Sequence, residues 1–317
     1  MPFEHRHRED LRQMAEHTLN IIERGRYNVK NTTYELCTEE LERSTKEYPP
    51  QAYDHWKSPL SDRSAPNHGG TYITIVEVST LACARNLSRT LRNNPRGSSK
   101  VGVLNFASAT KPGGGFKNGA EAQEESIARV SNLYQSLCTR QARQFYDEHS
   151  PEGRDPFYTH SMIYSPDVEV IKDDKGTLTR PMKIDVLTCA AVNAHRLRQS
   201  KFAQSLGRHA TEREIEAIMK ERMGRILFLF EERGVRNLVL GSFGTGVFRN
   251  DVNVVARLWA EFLSVPGARF AGSFDRVFFA ILGKKTFVDF GNAFNHSRQT
   301  TSHPSLLEVV RTTCGRG

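Results

Sequence analysis

A chain of 317 residues can build one large α/β domain or two small ones, and is long enough for a sizeable core. Hydrophobic residues make up 38% and charged residues 25%, no apolar run approaches the ~20 residues that span a bilayer, and the charged opening MPFEHRHREDLRQ has no apolar centre for a signal peptide, so an intracellular globular protein is expected, nuclear or cytoplasmic, with no membrane partner. The net charge of +8 suits a polyanionic partner, but the basic residues are spread out, with no arginine-rich run, zinc finger or helix-turn-helix, which argues against sequence-specific nucleic-acid reading.

Taken in order, Leu11, Met14, Ala15, Leu19 and Ile22 fall on one face of a helix over 9–24, which Gly25 stops. Residues 38–48 read as a second, more polar helix, and 49–70, rich in Pro, Ser, Asp and Gly, as a long loop. The expected division is an N-terminal helical extension over 1–70, packed on a main domain over 71–317. In that domain YITIVEVS (72–79) is strand-like. A helix follows through Leu81, Ala84, Leu87 and Leu91, capped by Ser79 or Thr80, and the polar turn NNPRGSSK leads to the strand VGVLNFA. Residues 139–160 are ambiguous. Val168–Ile171 and Met182–Cys189 read as strands around the turn at 173–176. Thr211 to Glu214 match a capping box that opens a long helix ending near Gly234. Then come the strand VRNLVLG, a glycine loop over 242–250, a helix over 251–263, a strand over 276–282, and a short helix around Leu306–Val310. Strands alternating with helices predict an α/β fold: a mixed, largely parallel sheet with helices on both faces.

The five cysteines, Cys37, Cys83, Cys138, Cys189 and Cys314, are odd in number and scattered, which predicts free thiols. His5 and His7 do not amount to a metal site, and no motif requires a metal or other cofactor.

Two glycine loops carry the chemistry. Gly113-Gly114-Gly115 and Gly244-Thr245-Gly246 each follow an apolar strand and precede a helix, where an α/β fold receives ligands and helix N–H groups face an anion. Glycine lets the backbone approach a phosphate, although strand-to-helix turns use glycine anyway and neither loop is diagnostic alone. Neither is a Walker motif, and Arg249 stands where a dinucleotide fingerprint needs its third glycine, which disfavours a nucleoside triphosphatase or a standard NAD dehydrogenase. Gln123-Glu124-Glu125 open the helix after the first loop. Acidic residues stabilise any helix N-terminus by roughly 0.3–1 kcal/mol, but beside two ligand-ready loops they read as catalytic. Adjacent helical residues point ~100° apart, so the two acids cannot flank one bond as an opposed glycosidase pair. One transfers the proton while the other holds substrate hydroxyls, and their closeness raises one pKa toward the working pH.

Three glycines, seven intervening residues and Gln-Glu-Glu resemble the signature of the poly(ADP-ribose) glycohydrolases. The runs MAEHTLNIIERGRY, SPDVEVIKDDKG and LVLGSFGTGVFRNDV extend the likeness to the shorter, microbial-type branch over about residues 14–283. The resemblance implies a macrodomain-like fold with an N-terminal helical extension and a cleft for ADP-ribose. It implies Glu125 as general acid and then base, with Glu124 and Gln123 positioning ribose hydroxyls. Gly113, Gly114 and Gly115 would approach ribose and pyrophosphate. Gly244, Thr245, Gly246, Val247 and Phe248 would wrap the diphosphate, with Phe248 fixing the terminal ribose and Asn105 and Asn193 lining the cleft. Departures occur at Cys189–Asn193, at Ser242-Phe243 and at Thr245, and bear on pocket shape. The implied partners are poly(ADP-ribose) and ADP-ribosylated proteins, with ADP-ribose as product, no cofactor, and a monomeric enzyme. Two other readings share the cleft: hydrolysis of single ADP-ribose modifications on protein or nucleic acid, and a non-catalytic ADP-ribose reader.

Overall fold

A computed structural model of the chain describes residues 2–60, 70–93, 99–149 and 155–300. It begins with helix α1 (Pro2–Arg24), which buries Leu11, Ala15, Ile21 and Ile22 and stops at Gly25. A hairpin not expected from the sequence follows, β1 (Arg26–Val29) and β2 (Thr32–Glu35), turning through Lys30 at positive φ. The segment expected as one helix over 38–48 divides into α2 (Thr38–Ser44) and strand β3 (Lys46–Tyr48). Leu41 is the one buried residue of α2, too small an apolar face to carry the helix further, and Lys46–Tyr48 pair instead with residues 162–164.

Next come β4 (Tyr72–Val76), α3 (Thr80–Arg92) and β5 (Val101–Phe106). Ser79 caps α3 by accepting from Ala82 N at 3.0 Å, as its sequence suggests. After the first glycine loop come α4 (Gln123–Val130), α5 (Leu133–Leu137) and α6 (Arg140–Glu148), the last resolving part of the ambiguous 139–160 stretch as a helix. A long hairpin, β6 (Met162–Lys172) and β7 (Leu178–Cys189), leads through α7 (Ala194–Arg198) and α8 (Lys201–Leu206) to α9 (Arg208–Glu232). The expected capping box is not used. The helix already starts at Arg208, and Thr211 Oγ1 donates back to Gly207 O at 2.9 Å from inside the first turn. The chain closes with β8 (Asn237–Leu240), α10 (Val252–Leu263), β9 (Arg276–Ala280) and α11 (Lys284–Thr300), a helix absent from the sequence reading. The expected helix around Leu306–Val310, Cys314, residues 61–69 of the 49–70 loop and 94–98 of the polar turn lie outside the described residues.

The main sheet has the order β3-β6-β7-β5-β8-β9-β4. β7, β5, β8, β9 and β4 pair in parallel, while β3, β6 and β7 pair antiparallel, so the sheet is mixed and largely parallel, as expected. One face packs against α9–α11 through Met223, Phe230, Trp259, Phe279 and Phe290, and the other against α3–α6 through Leu81, Leu87, Ile127, Leu133 and Phe145. Burial on both faces is why β5 reads as a nearly continuous apolar strand, interrupted only by Asn105.

Residues before 60 are tied to this body. Trp56 is buried, stacks on Phe270 at 6.2 Å, and lies where a Cβ on Gly224 would come within 2.6 Å of its ring. Arg269 Nε donates to Trp56 O at 3.0 Å and Arg225 Nη1 to Ala52 O at 3.1 Å, pinning backbone that reads from sequence as loop. No helix among the described residues is long and apolar enough to cross a membrane, and the four described cysteines are free thiols.

Candidate active site

The parallel strands β5, β7 and β8 end at one edge of the sheet, at Phe106, Cys189 and Leu240, and the two glycine loops and the Ala190–Asn193 segment leave from there. β8 pairs with β5 only as far as Val103, so the upper half of β5 has open backbone groups on that side. Gln123 fills the gap. Its Oε1 accepts from Phe106 N at 2.8 Å, and its Nε2 donates to Leu104 O at 2.7 Å and to Thr80 Oγ1 at 3.3 Å. One side-chain amide thus takes the place of a neighbouring strand and locks the start of α4 to the sheet. Both polar atoms of Gln123, a residue expected to meet ribose hydroxyls, are spent on protein, so it enters the site as support for the two carboxylates. Gln123→Ala should lower the unfolding free energy by about 1–3 kcal/mol, the cost of unpaired buried backbone groups, measurable by urea titration.

The next two side chains divide sharply. Glu124 is 2% exposed. Its Oε2 accepts from Ser108 N at 2.7 Å and its Oε1 from Asn105 Nδ2 at 3.3 Å, while Asn105 also donates to Thr188 Oγ1 at 3.1 Å. Burial pushes the Glu124 carboxyl up to about 8 and the charge on Glu125 adds to the rise, against the pull of the Ser108 N–H and the Asn105 amide. Glu125 is partly exposed; its Oε1 accepts from Gly115 N at 2.9 Å, and its other oxygen takes no hydrogen bond from the described residues. A buried acid that holds its proton more tightly than an ordinary carboxyl therefore sits beside an accessible one. Gly114 runs against both carboxylates, where a Cβ would lie 3.1 Å from Glu124 Oε2.

The raised pKa of Glu124 has a consequence for stability. Its folded value of about 8 lies above the ordinary 4.5, so between those pH values the folded protein holds a proton that the unfolded chain has released. The stabilisation is complete below about 4.5 and is lost as pH rises through about 8. Calorimetric Tm should fall on the order of a few degrees between pH 6 and pH 9, and Glu124→Gln should flatten that difference.

The second loop forms a separate group at the same edge. Gly244 packs so closely that a Cβ would come within 2.6 Å of Asn250 Nδ2, and Asn250 Nδ2 donates to Val192 O at 2.8 Å and Gly244 O at 2.9 Å. Thr245 Oγ1 donates to Ser242 O at 2.9 Å, which turns its side chain inward on the loop. Gly246 faces open space, Val247 is 78% exposed, and the half-buried ring of Phe248 lies 5.8 Å from Tyr158. Asn193 caps α7, its Oδ1 accepting from Arg196 N at 3.1 Å, and its Nδ2 reaches Tyr158 OH at 3.5 Å. The two groups meet through Phe106 and Phe243, whose rings lie 5.7 Å apart.

Several supporting residues are missing from the sequence reading. Arg222, fully buried on α9, donates to Ala190 O at 2.9 Å, Phe157 O at 2.9 Å and Tyr158 O at 3.0 Å, fixing the backbone on which Tyr158 stands at positive φ. The signal was available: Arg222 falls between Met219 and Ile226 on the inward spacing of its helix. Arg198 grips Glu212 at 2.7 and 2.8 Å and donates to Arg249 O at 2.8 Å, anchoring the end of the second loop. Ser108 and Tyr158 carry no mark in the sequence.

A mixed α/β fold that sets a buried and an accessible carboxyl side by side against a bare glycine loop at the ends of parallel strands is suited to proton transfer on a bound ligand. The family model for the microbial-type PARG (poly(ADP-ribose) glycohydrolase) catalytic domain matches residues 15–173. Among solved structures, the chain is similar to poly(ADP-ribose) glycohydrolase from Thermomonospora curvata, at 36% identity and TM-score 0.76 over 91% of this chain and 99% of that one. The same bacterial enzyme bound to the inhibitor ADP-HPD matches at 36% identity and TM-score 0.74, with the same coverage of 91% and 99%. Poly(ADP-ribose) glycohydrolase from Deinococcus radiodurans in complex with ADP-ribose matches at 32% identity and TM-score 0.69 over 83% of this chain and 97% of that one. No curated protein matches the chain in sequence. The chain belongs to the microbial-type poly(ADP-ribose) glycohydrolase family.

Proposed function

We propose that this protein hydrolyses the ribose–ribose O-glycosidic bonds of poly(ADP-ribose) and releases ADP-ribose, with Glu125 as general acid and base. The observation that carries the reading is the accessible Glu125 carboxyl, held on one oxygen by Gly115 N at 2.9 Å beside the buried Glu124. Protonated Glu125 gives its proton to the leaving ribose oxygen as the glycosidic bond breaks and positive charge develops on the sugar. The resulting carboxylate takes a proton from the water that attacks the anomeric carbon, which restores the acid and balances the reaction. Glu124 holds ribose hydroxyls, aided by Asn105, and Gln123 keeps both acids in place through β5. Gly244 to Phe248 hold the diphosphate, with Phe248 and Asn193 bordering the ribose side.

The test is incubation with poly(ADP-ribose) and, separately, with a mono-ADP-ribosylated protein, following free ADP-ribose. Release from polymer is the expected result. Release only from the mono-modified protein would assign the cleft to single modifications, and tight binding without release would make the protein a reader.

The second loop has its own test. Because Gly246 borders open space, Gly246→Val should leave Tm unchanged while weakening ADP-ribose binding at least about tenfold by crowding the phosphate approach. Unchanged affinity by titration calorimetry would remove the loop from the diphosphate site.

A further inference from the structure

The glycine loop does not hold itself. From Gly115 it closes a tight ring in which Asn118 N and Ala120 N donate to Gly115 O at 2.9 and 3.2 Å. The amide of the same Gly115 holds Glu125 Oε1. Any shift of this ring therefore moves the donor that fixes the accessible acid.

The outer side of the ring is covered by α1. Arg8 Nε donates to Asn118 O at 2.9 Å, and His7 Nε2 lies 3.0 Å from Glu121 Oε2. Gly119 is buried at φ +73, and a Cβ there would overlap the Arg8 carbonyl oxygen and come within 2.7 Å of Arg8 Cγ. Helix backbone and loop backbone are thus in direct contact, which only glycine permits at this position. About two turns further along, Ala15 packs with Phe116 of the ring and Ala128 of α4. Three hydrogen bonds fix the register of α1. Lys172 Nζ, buried at the end of β6, donates to Met14 O at 2.9 Å and Thr18 Oγ1 at 2.8 Å, and Thr18 Oγ1 donates to Arg129 O of α4 at 2.6 Å. One helix thus touches both ends of the unit that carries Glu125: the glycine ring before α4 and the last turn of α4 itself.

We infer that α1 is the brace of the catalytic acid, with Arg8 and Gly119 as positioning residues that set the Gly115 amide and through it the Glu125 carboxyl. The inference rests on the assignment of Glu125 as acid and base. The brace bonds to the acid's side of the site, and among the described residues α1 makes no hydrogen bond or ion pair with the 242–250 loop, so loosening it should cost turnover and spare binding. A misplacement of the acid of about 1 Å costs on the order of 10²-fold in rate.

The experiment compares wild type, Gly119→Ala, Arg8→Ala and Arg8→Lys in the full chain. It measures kcat and KM on poly(ADP-ribose), and the affinity and stoichiometry of ADP-ribose binding by calorimetry. Gly119→Ala should lower kcat by about 10–10²-fold, with ADP-ribose affinity within about threefold of wild type and full stoichiometry. Arg8→Ala, an exposed site whose loss threatens folding little, should lower kcat several-fold, and Arg8→Lys, which keeps one donor for Asn118 O, should recover most of it. The brace is overturned if kcat stays within twofold of wild type in both Gly119→Ala and Arg8→Ala. It is equally overturned if affinity and stoichiometry fall in step with kcat, the pattern of simple unfolding. A wild-type protein that releases no ADP-ribose from polymer would instead sink the functional reading beneath it.

Discussion

Glu125→Gln is expected to abolish turnover of poly(ADP-ribose) while ADP-ribose still binds within a few-fold of wild type. Glutamine keeps the shape of the side chain, and its carbonyl oxygen can still accept from Gly115 N, so the glycine ring has no reason to move. In the proposed mechanism what disappears is the proton, given to the leaving oxygen in one half of the reaction and taken from water in the other. General acid–base transfer contributes about 10²–10⁴-fold, and here one group serves both halves, so the loss in kcat should lie at or above the top of that range. The rival for the role is Glu124, which a pKa criterion alone would choose, since burial holds its carboxyl up to about 8. Geometry argues the other way. Glu124 is 2% exposed with an oxygen on Ser108 N and another on Asn105, which suits it to holding, whereas Glu125 is the more exposed of the two and engages one oxygen only. Single-turnover release of ADP-ribose, read beside calorimetric binding, decides between the two. Retention of a tenth or more of wild-type kcat in Glu125→Gln, with loss in Glu124→Gln, would exchange their roles.

The stretch from β5 through the glycine triplet to α4 was legible because its determinants are local. An apolar strand buried on both faces, three glycines and an acidic helix start lie within some twenty-five consecutive residues. Elements set by distant partners were not. β3 is three residues long and exists because residues 162–164 offer it a ladder. At the expected capping box, Gly207 at φ +81 lets α9 begin one turn earlier, so Thr211 lies inside the helix and donates back to Gly207 O. α11 was readable in principle, since Phe287, Phe290 and Phe294 repeat at helical spacing and pack on the same core cluster. Within the site, the sequence marks which residue types are present and not what their polar atoms are spent on. Gln123 looks like a substrate ligand until its amide is seen to replace a strand. Asn193 looks like one until its Oδ1 is found capping α7, with only its amide turned toward Tyr158.

Gly114→Ala should be severely damaging to turnover for the addition of a single methyl group. Gly114 stands at φ +59, a conformation that costs an L-residue roughly 1–2 kcal/mol. The greater cost is spatial. The added Cβ would overlap Glu125 Oε1 and stand 2.9 Å from its Cδ and 3.1 Å from Glu124 Oε2, so neither carboxylate can keep its place. Glu125 must swing off the Gly115 amide, and Glu124, enclosed by Ser108 and Asn105, has little room to yield. Turnover should fall by about 10²-fold or more although every acid and base is still present, because the reacting groups are displaced and not removed. This outcome is opposite in kind to Gly246→Val, where the added side chain enters open space and binding is lost with the acid untouched. Measuring kcat, ADP-ribose affinity and Tm for the two variants together separates displacement of the acid from obstruction of the ligand. Near wild-type kcat in Gly114→Ala would mean that the glycine triplet serves only as a turn, and that the close packing of bare backbone on the two carboxylates has no part in catalysis.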